Sequence, residues 1–127
     1  MTDVDLAKSA MRPAFDAWRD FAGDASSSFA PNALCHMSHP LGDLQGYDAL
    51  WVTAFQPLKS ALPDLERQEF IRIAGRDADG VMWVGSGGAY AGTWVSDWLG
   101  IPATGRSATM RFHEFYRIED GLCVEMQ

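Results

Sequence analysis

The sequence predicts a single α+β domain, helices first and a strongly curved antiparallel sheet after them, and three observations carry that prediction. Apolar residues recur at helical spacing before Pro63, three long strand-like stretches follow it, and the run Gly85-Ser86-Gly87-Gly88 interrupts the second stretch. Glycines inside a strand mark a bulge or bend, the device that curls a sheet. A curled sheet needs cover on its hollow side. The helices supply part of it, and what they leave open is expected to be one mainly apolar pocket for a small organic molecule. A length of 127 residues suits one core, so residues 1–127 are expected to form one domain.

Taken in order, Val4, Ala7, Met11, Ala14, Phe15, Trp18, Phe21 and Ala22 form the apolar stripe of an amphipathic helix. Pro13 is tolerated best in a first turn, so the well-formed helix is expected from a Ser9 cap to Gly23. Asp24 can cap a short second helix, Ala25–Phe29, closed by Pro31-Asn32. Ala33–His39 reads as a strand stopped by Pro40. Tyr47, Leu50, Trp51, Ala54, Phe55, Leu58, Ala61 and Leu62 then keep the helical period, with a kink at Pro57 and a stop at Pro63-Asp64. The strands Leu65–Ala74, Val81–Trp94, Ser107–Ile118 and Leu122–Gln127 follow. Asp77 to Gly80 and Glu119-Asp120-Gly121 are hairpin turns, whereas the apolar connection Val95–Arg106 is expected to fold back over the sheet.

The net charge of −7 excludes a basic nucleic-acid surface and attraction to an anionic membrane. No apolar run is long enough to span a bilayer and the N-terminus has no signal-peptide pattern, so a soluble, cytoplasmic protein is expected. Cys35 and Cys123 lack any zinc or redox spacing and read as two buried, reduced thiols.

Alternation along Ser107–Ile118 puts Thr109, Arg111, His113, Phe115 and Arg117 on one face and Met110, Phe112, Glu114 and Tyr116 on the other. The first face is expected to look into the pocket, because the opposite arrangement buries Glu114 at a cost of several kcal/mol unless it is paired. Arg111 and His113 then stand about 6 to 7 Å apart, close enough to act on one ligand, His113 moving a proton and Arg111 stabilising an anion. His36 and His39 flank the end of the first strand, and one of them is expected to line the pocket. Three histidines without a metal-ligand spacing point to no metal. Trp83, Tyr90 and Trp94 either line the hollow or form an intersubunit face. No nucleophile elbow, P-loop or dinucleotide fingerprint occurs.

The segments Gly92-Thr93-Trp94, Gly100-Ile101-Pro102-Ala103-Thr104-Gly105-Arg106, Arg111-Phe112-His113-Glu114-Phe115-Tyr116-Arg117-Ile118-Glu119-Asp120-Gly121 and Val124-Glu125 carry a resemblance. The chain resembles the SnoaL-like polyketide cyclase family of the nuclear-transport-factor-2-like superfamily, most clearly over residues 80–127. His39-Pro40, Gly42-Asp43-Leu44 and Leu62-Pro63-Asp64 agree less specifically. The resemblance implies a cone-shaped α+β barrel, no cofactor, a homodimer and a small hydrophobic ligand or substrate. In characterised relatives an aspartate, helped by histidine, drives an intramolecular aldol closure. His113 matches a pocket position on that strand, and Arg111 resembles an arginine of related epoxide hydrolases. The family's last strand usually runs on into a W-D segment, and with Gln127 as the last residue the expectation is a member without that aspartate. Three functions follow as expectations. They are a cyclase-like proton-transfer enzyme with His113 and Arg111 catalytic and His36, His39, Trp83, Tyr90, Trp94 and Phe115 around the substrate, a non-catalytic binding domain for a hydrophobic metabolite, and an epoxide hydrolase using Glu114 or Asp97.

Overall fold

A computed structural model describes residues 2–127. Helix α1 (Asp3–Trp18) starts earlier than expected. Thr2 accepts the Asp5 amide and Asp5 reaches back to Thr2, a capping box that starts the helix there and places Pro13 in its interior. Beside Pro13 the Ala14 amide donates to the buried Ser28 hydroxyl, 3.1 Å away, so the ladder's gap is filled from outside. The helix ends at Trp18, short of Gly23. Of the second predicted helix one 3₁₀ turn, Ser26–Ser28, is formed; its N-cap is Ala25 and not Asp24, whose carboxylate accepts the Ser26 amide in the turn ahead of it.

Strand β1 (Phe29–His36) begins upstream of the expected start and takes in Pro31. A register shift between Phe29 and Leu34 keeps that proline out of the ladder. A short β2 (Asp43–Gln45), unpredicted, pairs with it. The next helical segment runs as α2 (Tyr47–Leu50), a π turn (Trp51–Phe55) and α3 (Gln56–Ala61). Pro57 falls in the first turn of α3, and the widened turn before it takes the place of the expected kink. Strands β3 (Glu66–Arg76), β4 (Met82–Thr93), β5 (Ser107–Glu119) and β6 (Leu122–Met126) lie within a few residues of their predicted limits.

The six strands form one sheet in the order β2-β1-β6-β5-β4-β3. The expected α+β cone is found, with one correction: the sheet is mixed and not antiparallel, because β1 runs parallel to β6. It stays open, with β2 and β3 as free edges. The parallel pair follows from topology: the helical segment and four further strands separate the two, so no hairpin dictates their direction. Asp120 and Gly121 both have positive φ, as the tight β5–β6 turn requires.

The helices bury their apolar faces on one side of the sheet. Trp18, fully buried, lies among Phe15, Phe29, Tyr47, Phe55 and Tyr116, with ring centroids 5.0 to 6.5 Å away. The expected glycine distortion appears as a bulge in the partner strand, at Phe70, opposite Gly87-Gly88. A Cβ on Gly88 would lie 2.0 Å from the Gln68 carbonyl oxygen, so β3 approaches where only glycine fits. Gly88→Ala is expected to cost at least about 2 kcal/mol, read as a lower urea midpoint at unchanged m-value. Cys35 and Cys123 are buried free thiols on neighbouring strands, pushed by burial up to about 11 and about 12, and so protonated. Among the described residues no helix is long and apolar enough to cross a membrane.

Candidate functional site

Strand β5 turns the opposite way from the sequence expectation. Phe112, Glu114, Tyr116 and Ile118 are buried under the helices, while Arg111, His113 and Phe115 are exposed. The added-Cβ positions of Gly85 and Gly87 fall against Phe115, Ile73, Ile71 and His113, which marks these side chains as neighbours on the outer face. The cost of burying Glu114 is met by a partner from β3. Arg67, 6% exposed, donates through Nη2 to Glu114 Oε1 at 3.1 Å and to the Ser86 hydroxyl at 2.9 Å. Tyr116 donates to the same carboxylate oxygen and Tyr90 to the other. The guanidinium carbon lies 4.6 Å and 4.3 Å from the ring centres of Phe15 and Phe112. Burial opposes the charge on Arg67, but Glu114 and the two tyrosines hold its pKa above the usual arginine value. Burial, then the Glu114 charge, pushes both phenols well above the tyrosine range, so they stay neutral donors.

This cluster borders a cavity of about 410 Å³. Tyr90, Phe112 and Glu114 are its buried inner wall, and Ala54, Phe55 and Leu58 its helical wall. Met37 to Leu41, Trp98, Leu99 and Met110 surround the more exposed end. The connection between β4 and β5 does fold back. The Asp64 carboxylate takes the Thr93 amide and hydroxyl at 2.7 and 2.8 Å, which draws its own pKa down, and the Ala61 carbonyl accepts from Val95 and Ser96.

Of the eight residues expected at a site, Tyr90 and His39 are in the cavity wall, the first at the buried end and the second exposed at the mouth. Arg111 and His113 border the mouth through β5, with side chains on the outer face. His36 also borders it, but its ring is held by Asp43 at 2.9 Å and faces Glu125 at 3.4 Å. Trp83 donates its indole N–H to Asp77 in the β3–β4 turn, Trp94 donates to the Ser96 carbonyl, and Phe115 is exposed on the outer face, none of them in the cavity wall. Asp97 accepts the Ala103 amide and braces the loop. Sequence reasoning missed Arg67. The available signal was its two-residue spacing from buried Leu65, which puts a cation on the inner face of β3.

The hydrogen bond to Asp43 raises the His36 pKa above its ordinary 6.5. A histidine with a raised folded-state pKa adds stability that is fully present below 6.5 and is lost as pH rises through the folded value. Asp43→Asn is expected to return the His36 titration, followed by NMR, towards 6.5, and an unmoved titration would remove Asp43 as the cause.

An open mixed sheet folded over two helical segments defines the cone-shaped α+β class of small domains. The chain belongs to the SnoaL-like polyketide cyclase family, whose family model matches residues 10–127. Solved structures agree on the fold. TsrD of Streptomyces laurentii superposes with a TM-score of 0.78 at 19% identity, covering 100% of this chain and 89% of its own. AclR of Streptomyces galilaeus, described as a candidate hydroxylase, gives 0.75 at 19% identity, covering 98% and 87%. IdmH of Streptomyces antibioticus, described as a candidate polyketide cyclase, gives 0.72 at 22%, covering 94% and 88%. No curated protein matches the sequence.

Proposed function

We propose that the cavity holds a small, mainly apolar molecule bearing a carbonyl or ester, and that the chain acts on it by cofactor-independent proton transfer, as a cyclase does. The cavity carries this reading: about 410 Å³ lies within the range of small-molecule sites, and its walls are largely apolar with a few polar groups at the ends. Ring closure needs a base to remove a proton beside a carbonyl, and a donor for the oxygen on which charge then builds. Glu114 is a poor candidate for the base, because its oxygens already accept from Arg67, Tyr90 and Tyr116. His39 at the mouth is the better one, since His36 is held between two carboxylates and His113 is turned to the outer face. The test is deuterium exchange at the α-carbon of 1-tetralone in D₂O, followed by NMR. Exchange faster than in buffer, and lost in His39→Ala, is the expected result; exchange at the buffer rate overturns catalysis.

The satisfied Glu114 favours a second reading, a domain that binds without reacting, for which binding would persist with no exchange. In either case we infer a homodimer formed across the outer sheet face. There Ile71, Ile73 and Phe115 are 58%, 53% and 46% exposed around Gly85 and Gly87. A monomer in sedimentation equilibrium would overturn it.

A further inference from the structure

Met110 stands on the inner face of β5, directly opposite Tyr90 of β4, yet it is 38% exposed. Alternation fixes its direction. Phe112, Glu114, Tyr116 and Ile118, at every second position, are buried beneath the helices, whereas Arg111, His113 and Phe115 are turned outward. The exposure does not come from the end of the strand: Phe112 and Tyr90 are buried, and Ala108, nearer the start of β5 on the same face, is half-buried and packed against the core. What opens above Met110 is the cavity, which it lines together with Tyr90 and Phe112. Its side chain is therefore both reachable and on the side from which a ligand would enter.

The residue type is as informative as its place. Strand interiors favour β-branched and aromatic side chains, and Phe112, Tyr116 and Ile118 on this face conform. Met110 departs from that pattern with an unbranched thioether chain, whose rotatable bonds let it fit surfaces of differing shape. Three of the six methionines, Met37, Met110 and Met126, line this one cavity. Met126 is fully buried, so Met37 and Met110 are the two with room to move at its open end. We propose that Met110 is an adaptable rim that sets the width of the molecules the cavity admits, so that one cavity takes neutral apolar ketones or esters of more than one ring size. The inference rests on the cavity being a ligand site, and it assigns the breadth of that site's selectivity to one residue.

The test titrates 1-tetralone and the wider, three-ring ketone 9-fluorenone into the whole chain carrying ¹³C-labelled methionine methyls. The Met110 signal is assigned by its loss in Met110→Ile. Both ketones are expected to move the Met110 methyl and to leave that of Met82, which lies outside the cavity wall, in place. Isoleucine has nearly the same volume, suits a strand and is stiff at χ1, so Met110→Ile removes adaptability and little else. It is expected to keep the 1-tetralone affinity within about twofold and to weaken 9-fluorenone about tenfold. Met110→Ala, which shortens the rim, is expected to hold 9-fluorenone no worse, relative to 1-tetralone, than the unaltered chain does. A Met110 methyl that neither bound ketone moves, or a change in Met110→Ile that is the same for both ketones, none included, overturns the inference and leaves the cavity as a ligand site. Binding of neither ketone overturns the ligand-site reading and the inference with it.

Discussion

Glu114→Leu is expected to destabilise the protein by about 4 kcal/mol, a fall in Tm of about 15 °C. The size comes less from the lost ion pair than from what is left behind. Arg67, with a side chain 2% exposed, would remain charged under Phe15 and Phe112 with its nearest acid gone, and two phenols would lose their acceptor. The Arg67–Glu69 contact at 3.8 Å is too long to substitute for it. The double variant Arg67→Met with Glu114→Leu removes both charges, and is expected to regain at least about 2 kcal/mol relative to Glu114→Leu alone. The regain stays partial because the Tyr90 and Tyr116 hydroxyls still lack an acceptor. Strict additivity of the two single effects in a thermal or urea double-mutant cycle would show that the pair does not act as a unit.

Trp18→Ala is expected to cost about 3 to 5 kcal/mol, the range for removing a large aromatic side chain from a core. Five aromatic rings surround Trp18, and its indole N–H donates to the Tyr47 hydroxyl at 3.3 Å. It joins α1, β1, α2, the π turn and β5, so the void would lie where every layer meets and cannot be closed by moving one of them. Trp18→Phe keeps most of the volume and is expected to lose less than half as much. Equal losses for the two variants in urea unfolding would show that the indole N–H, and not the packing, is what matters. Near-ultraviolet circular dichroism checks that Trp18→Ala keeps fixed tertiary packing.

Much of the fold was legible because the signals are local. The apolar period of residues 47–62, the Pro63-Asp64 stop and the Asp120-Gly121 turn each act over a few residues, and each is found close to its expected place. The early start of α1 was misjudged because Pro13 was weighed against an isolated helix, whereas Ser28, 14 positions on, takes the amide beside it. The Gly85 to Gly88 run was read correctly as a distortion, but the extra residue belongs to β3, which only pairing reveals.

The candidate site was legible in part. Of the eight residues singled out, His36, His39, Tyr90, Arg111 and His113 border the cavity. Arg111, His113 and Phe115 turn outward for one reason, since a strand's side chains alternate and reversing one reverses all of them.

By itself, the sequence determined the order of helices and strands, most of their limits, the family and the presence of an apolar connection over the sheet. It also stated the electrostatic condition on β5: Glu114 faces the core if, and only if, it finds a partner. Tertiary structure alone decided that condition, because the partner, Arg67, is 47 residues away on a strand that does not touch β5, and the two meet across β4. Burial of a charge is settled by which opposite charge the fold brings within hydrogen-bonding distance, and no local pattern contains that information.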